Sequence, residues 1–392
     1  MQRYFILIIL LSHFSFGFTQ TPLSEEAEIS VITCGPDPNE VYSAFGHSAF
    51  RVRDPAQGID YAFNYGVFNF DQPNFYLNFA RGRNYYMLAV YHYEDFEWPY
   101  IRDQRYVHEQ VLQLTSSQKE KIFSFLMWNA QPENRTYRYD YYHNNCATKI
   151  RDVLVEQLGS DLSMDSSFLQ AEHSFRQKTD EYLHTLPWGD LGIDICLGLP
   201  IDRTMYANEY MFLPDYIESF VGNMSVKTDS TFVPLVKELR IKNEASVTAW
   251  YSLVHPWVAF MLLLIIITGI SIHDWRRKKP SRWFDGILFS IVGLIGLLLL
   301  ALWLFTDHHD AARNFNLLWA FPLHLVAVGF LITGRGNRIL PTYFLVCSTL
   351  LGLTLLFWWA LPQELNVFLI PVVAGLWVRC LLNWKVSTMT QS

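Results

Sequence analysis

Tyr141-Tyr-His-Asn-Asn-Cys-Ala-Thr-Lys-Ile-Arg-Asp152 puts a cysteine at the point where a helix should begin. Asn144 or Asn145 can cap that helix, and Ile150, Val153, Leu154 and Leu158 then fall on one apolar stripe. The unpaired N–H groups and the dipole at a helix start favour an anion, so the position predicts a Cys146 thiol with a lowered pKa. A thiolate is a far better nucleophile than a thiol. The alternative is a buried structural cysteine, a common fate of the residue. The polar neighbours Asn144, Asn145 and Thr148 count against it.

A cysteine nucleophile needs a base. His143 is nearest in sequence, but residues three apart across a helix start need not face each other. The better candidate is His47, in Ser43-Ala-Phe-Gly-His-Ser-Ala-Phe-Arg-Val-Arg53. There Gly46 allows a close approach, and alternation along a strand sets the ring opposite Phe50 and Val52. Further strands are expected at Glu28–Thr33, Tyr61–Phe68 and Tyr85–Tyr93, where β-branched and aromatic residues concentrate. A helix is expected from Ser117, with Ser117 and Glu120 in capping-box spacing. Residues 159–245 give no clear pattern.

Apolar residues make up 51% of the 392 and charged residues 17%, too greasy for a disordered chain. Residues 21–250 carry 19 basic against 32 acidic side chains, net −13, whereas residues 251–392 are net +5. An acidic first half argues against a nucleic-acid partner. Five cysteines with no CxxC pair, and no HExxH, leave a zinc site and a disulfide framework without support; no cofactor or metal is expected. Phosphate-loop and dinucleotide motifs are absent from the sequence.

Residues 1–20 read as a secretory signal, with Arg3 ahead of the apolar run Tyr4–Phe18 and cleavage near Gln20; an uncleaved anchor is the alternative. Five stretches approach the length a bilayer requires, at about 251–272, 284–305, 315–333, 341–361 and 365–384. Arg276, Arg277, Lys278, Lys279 and Arg282 mark the first loop as cytoplasmic. Arg335 and Arg338 mark the third, and Arg379 and Lys385 the last exit. The loops around 306–314 and 361–366 are poor in basic residues. The domain of residues 21–248 therefore belongs outside the cytoplasm, ahead of a membrane domain at 249–385.

A histidine on a strand followed by Asn-Cys opening a helix resembles the circularly permuted papain-like fold of NlpC/P60 peptidases and lecithin-retinol-type acyltransferases. More closely, Val31-Ile-Thr-Cys-Gly-Pro36, Phe45-Gly-His47, Asn145-Cys-Ala-Thr148 with Arg151-Asp152, and Phe212-Leu-Pro-Asp-Tyr216 resemble the Lnb-type periplasmic domain. Asp307-His-His-Asp310 with Asn314 to Trp319 looks like that family's outer loop between membrane helices. Ala147 departs from the pattern, standing where a small hydroxyl residue is often found. The resemblance implies an α+β permuted papain-like domain followed by an all-α five-helix membrane domain, in the inner membrane of a Bacteroidota-type envelope. It implies a lipoprotein N-acyltransferase, with a phospholipid as acyl donor and a diacylated lipoprotein as acceptor.

Carried over, Cys146 is the acyl-accepting nucleophile and His47 its base. The group that orients the imidazole comes from the following strand, where Asn64 and Asp60 both fit and Asn64 is preferred. Asn145 is a candidate for substrate binding. Arg81 and Arg83, beside Tyr85, Tyr86, Tyr91 and Tyr93, could hold a phosphate headgroup; a solvated turn is the plainer alternative. His308, His309 and Asp310 could bind metal or meet the outer domain, His324 lies inside a span, and Cys34 could pair with Cys196. Two other functions fit the same features: a Cys–His amidase or peptidase acting on the envelope, and a non-enzymatic membrane scaffold.

Overall fold

The computed structural model describes residues 22–68, 71–250, 254–334 and 338–389. The expected signal segment, the first residues of the first apolar stretch (251–253) and Arg335 lie outside the described residues.

Seven antiparallel strands organise the outer domain. Their ranges are β1 (Glu28–Cys34), β2 (His47–Asp54), β3 (Ile59–Val67), β4 (Tyr85–His92), β5 (Val107–Leu112), β6 (Thr136–Arg138) and, after a small sheet formed by β7 (Leu162–Ser163), β8 (Ser225–Thr228) and β9 (Thr231–Pro234), β10 (Val236–Asn243). The order across the large sheet is β10-β5-β1-β2-β3-β4-β6. A short helix α1 (Phe75–Ala80) joins β3 to β4, and α2 (Tyr93–Arg102) follows β4. On one face, Ile29, Val31, Phe50 and Phe63 pack against α3 (Ser116–Asn129) and α4 (Cys146–Leu158). Tyr93 and Phe96 of α2 cover the other face over Ile32, Ala49 and Ala62. The period-two alternation of β2 is thus satisfied twice, with a core on each side.

Three local expectations shift. The strand expected from Ser43 begins at His47, because Gly46 turns the chain at φ +78°. Tyr93 opens α2 instead of closing β4. The helix cap is Thr115 with Gln118, not Ser117 with Glu120; Glu120 instead accepts the Leu23 N–H at 3.1 Å. The unread segment folds as α5 (Phe175–Leu183), α6 (Pro187–Cys196) and α7 (Pro214–Asn223), besides the late strands. Cys34 and Cys196 are both free thiols, so the pairing does not form.

The last third is helical: α8 (Pro256–Arg277), α9 (Arg282–Phe305), α10 (His324–Thr333), α11 (Leu340–Leu356) and α12 (Ile370–Met389). Pro256–Arg277, Arg282–Phe305 and Val367–Met389 are long and apolar enough to cross a membrane; α10 and α11, at 10 and 17 residues, are shorter. The stretch expected to be helical from 315 opens instead with a tight turn at Phe315–Leu318. Asn314 and Asn316 hold that turn by donating to the Ile195 and Asp194 carbonyls at 2.8 and 3.0 Å. Arg379, expected at the last exit, lies level with Asp274 and Asp285, which flank the basic turn between α8 and α9. It is fully buried within α12, 2.7 Å from Asp274 and 2.5 Å from Asp285, where a lone cation would be costly.

The loops 306–323 and 357–369 press on the outer domain, while the basic turn after α8 lies at the other end of that helix. Gly198 N–H donates to Asp310 O at 2.7 Å, and a Cβ on Gly198 would meet Ala312 O at 2.0 Å. Gln363 donates to Leu197 O at 3.0 Å, and Asn366 bridges Asp190 and Asp194 at 3.0 and 2.9 Å. Behind them the buried Arg176 pairs with Asp194 and with Asp202 at 2.9 Å.

One cation thus faces several carboxylates. Burial, then the charges of Asp194 and Asp190, push Asp180 up to about 9; burial and then Asp194 push Asp190 to about 6. A raised folded-state pKa favours the folded protein while the group is protonated, and that stability is lost as pH rises from the unfolded carboxyl value toward the folded one. Asp180→Asn should therefore raise the melting temperature at pH 8, with a gain that shrinks toward pH 4. Thermal unfolding of the purified full chain across that range checks this, and a gain independent of pH would contradict it.

Candidate active site

Asn145 caps α4 by accepting the Thr148 N–H at 2.9 Å while Thr148 Oγ1 accepts the Asn145 N–H at 2.8 Å. Such a capping box contributes on the order of 1 kcal/mol to the helix start. The Asn145 amide also donates to Tyr141 O and Phe212 O, both at 2.8 Å. Asn145 is buried and every polar atom of its side chain is engaged within the fold, which makes it the residue that aims Cys146. The candidate for substrate binding is thus placed as a structural anchor.

His47 begins β2 directly opposite Cys34 of β1. Its Nε2–H donates to Asn64 Oδ1 at 2.6 Å, leaving Nδ1 to meet the Cys146 thiol. Asp60, the other candidate, is held by Arg51 in a two-pronged ion pair at 2.8 Å. Tyr100 stacks on the imidazole at 6.2 Å between ring centres, with Phe96 beside it. Gly66 closes the arrangement. At φ +89°, it sits where a Cβ would lie 3.4 Å from Cys146 Cβ and 3.8 Å from His47 Cε1.

Burial works against the thiolate, but the facing His47 charge, its hydrogen bond, and the Ser48 and Ala147 N–H groups overcome it and lower the Cys146 pKa. Burial likewise opposes a charged His47, and the nearby thiolate with the Asn64 hydrogen bond raises its pKa nonetheless. Each member of the pair favours the charge of the other. Cys146 and His47 are both half-buried. Burial and the Cys146 charge push the Tyr139 phenol upward, keeping it neutral.

The arrangement holds an activated thiol, an oriented base and aimed backbone N–H groups at one place, which is the equipment for acyl transfer or amide cleavage. Two stretches of the chain match family models: residues 20–179 match the Lnb N-terminal periplasmic domain, and residues 248–391 match the Lnb transmembrane domain. The chain belongs to the Lnb family. An Lnb-type protein is a membrane enzyme of lipoprotein processing with a periplasmic domain. No curated protein and no solved structure matches the chain.

In this Lnb-type protein His47, Asn64 and Cys146 all fall within the first matched stretch. Residues 180–247, between the two matches, supply the Phe212 carbonyl that anchors Asn145 and most of the docking surface. Arg83 does not stand free. It pairs with Asp307 at 2.9 Å, as Arg138 does at 3.3 Å, whereas the Arg81 side chain is exposed with no ion pair among the described residues. The loop of His308, His309 and Asp310 meets the outer domain: His308 Nε2 lies 3.1 Å from Phe79 O, and Asp310 lies 4.0 Å from His143, three residues before Cys146. His324 starts α10, buried, with Nδ1 2.6 Å from the Tyr343 hydroxyl. An apolar cavity of about 650 Å³ lies in the helical half between Trp303, Leu318, Phe321 and Leu350, with Arg313 on its lining, and neither Cys146 nor His47 borders it.

Gly66, Arg105 and Tyr100 were invisible to sequence reasoning as site residues. Arg105 is buried, donates to Gly35 O at 2.6 Å and faces the Tyr100 ring at 4.8 Å. The pH dependence of Cys146 alkylation by iodoacetamide should show a pKa below that of an ordinary thiol. His47→Ala should raise it, because burial is then opposed only by the Ser48 and Ala147 N–H groups. Gly66→Ala should slow alkylation at every pH, since a residue with a Cβ is strained at φ +89° and the strand that relaxes lies beside both partners. An unchanged profile in His47→Ala would separate the two groups functionally.

Proposed function

We propose that this chain moves an acyl chain from a phospholipid to the α-amine of the N-terminal cysteine of a diacylated lipoprotein, through a thioester on Cys146. The observation that carries the proposal is the meeting of Cys146, His47 and Asn64 in one half-buried site beside the loop that joins α9 to α10.

The Cys146 thiolate attacks the ester carbonyl carbon and the Sγ–C bond forms. Collapse of the oxyanion breaks the bond to the glycerol oxygen, which takes the proton from His47 and leaves as a lysophospholipid. The amine of the acceptor then attacks the thioester carbonyl and passes a proton to His47 Nδ1. The thiolate departs and an amide remains. Ser48 and Ala147 N–H groups, directed at the sulfur in the resting state, lie close enough to share in stabilising the charge that develops. Asn64 fixes the ring so that Nδ1 faces the sulfur through both steps.

The outer domain is read as a permuted papain-like fold, a reading supported by the order of the chain, in which the strand of His47 precedes the helix of Cys146. In the membrane, α10 with the turn before it and α11 with the turn after it complete five spans. The basic turns face the cytoplasm and the outer domain faces the periplasm, at the inner membrane. Both substrates are lipids, which accounts for a catalytic domain seated on apolar helices. A strain whose chromosomal copy carries Cys146→Ala should accumulate lipoproteins lacking the N-linked acyl chain by mass spectrometry. Full N-acylation in that strain, with the variant present at normal abundance, would overturn the proposal.

A further inference from the structure

Between β3, which carries Asn64 and Gly66, and β4 the chain forms α1, Phe75-Tyr-Leu-Asn-Phe-Ala80, a helix with no buried residue. Tyr76 is 79% exposed, and Leu77 and Phe79 are about half exposed. In water such a surface is unfavourable; at a bilayer interface it is the composition that binds. The position of α1 supplies the bilayer. Its Phe79 carbonyl accepts from His308, just beyond the end of α9, and a Cβ on Gly82 would lie 2.9 Å from the Asp307 backbone. The last residue of α9, Phe305, is itself 80% exposed. The apolar face of α1 therefore continues the lipid-facing surface of a membrane helix. The cationic side chain of Arg81 stands beside it, as a headgroup phosphate would require.

From α1 an aromatic row leads inward. Phe75 lies 6.3 Å from Phe68, Phe68 5.2 Å from Tyr86, and Tyr86 stacks on Tyr139 at 4.2 Å. Tyr139 is the neighbour of the Cys146 charge. Tyr137 stands directly opposite Tyr86 on β6 and packs edge-on to Tyr65 at 6.1 Å between ring centres.

We infer that α1 lies in the outer leaflet of the bilayer, with Arg81 at the headgroups, and that the aromatic row from Phe75 to Tyr139 is the path by which a phospholipid acyl chain reaches Cys146. The immersion of α1 stands without the acyl-transfer proposal; the use of the row for an acyl donor rests on it.

The test uses the full chain in phospholipid vesicles. A nitroxide is placed at Leu77→Cys in a Cys146→Ser, Cys196→Ser background, with labels at Phe305→Cys and Trp98→Cys as references for lipid and water. Collision with oxygen should exceed collision with a water-soluble nickel chelate at position 77, as at 305 and unlike at 98; a water-like pattern at 77 overturns the immersion. In the chain that keeps Cys146, alkylation by a maleimide tethered to a phospholipid headgroup is compared with alkylation by soluble iodoacetamide. The pair Leu77→Asp and Phe79→Asp should slow the tethered reagent roughly tenfold, equivalent to about 1.4 kcal/mol, and leave the soluble rate unchanged, which also reports that the site is folded. An unaffected tethered rate, with α1 immersed, overturns the path. Neither readout involves a lipoprotein, so normal acylation in the Cys146→Ala strain would sink the enzymatic proposal while leaving these two results standing.

Discussion

The facing of His47 and Cys146 brings together segments roughly a hundred residues apart, and closing such a loop costs conformational entropy that neither side chain can offset alone. The large sheet and α4 meet that cost together. β1 and β3 flank β2 and fix the place of His47, while the Ile150, Val153 and Leu154 stripe seats α4 on the same sheet. Asn145 then sets the first turn of α4, tied to Phe212 from a later part of the chain. Gly66, at a positive φ that favours glycine, lets β3 pass close beside both groups. A thiolate and an imidazolium held this way stabilise one another, and the desolvation that would neutralise either alone is overcome in the pair.

The second constraint is the seating of this domain on the apolar helices. The contacts are polar and directional: Asn314, Asn316, Gln363 and Asn366 reach across to backbone carbonyls and to Asp190 and Asp194. Arg176 lies behind them, buried and paired. Hydrogen bonds of this kind fix register better than an apolar surface does. They bring the Asp307–Asp310 loop against Gly82 and His143, so the segment preceding Cys146 and the turn preceding β4 both rest on the membrane half. A site built this way is held in a fixed position relative to the apolar helices.

Parts of this were legible in the sequence because their causes are local. A cap three residues from its partner and an apolar stripe at helical spacing announce α4 and Cys146 together. Alternation in β2 gives His47 its face. Asn64 and Asp60, four residues apart on one strand, share a face, and only Arg51 across the sheet shows that Asp60 is already engaged. Gly66 and Tyr100 act through neighbours distant in sequence, which no spacing reveals. Arg379 reads as a loop charge from its place near the end of a span; Asp274 and Asp285 on two other helices make it a buried clamp. Residues 159–245 stayed unread because their short helices are shaped by docking, with side chains such as Arg176 and Asp194 that look solvent-exposed in a linear pattern.

The most direct measurement is the mass of the Cys146 peptide after the purified full chain is incubated with phospholipid in the absence of any lipoprotein. The result expected is a covalent acyl adduct on Cys146 that hydroxylamine removes, appearing with an equal amount of lysophospholipid. A peptide that stays unmodified while lysophospholipid accumulates, or an adduct on another residue, would contradict a thioester at Cys146.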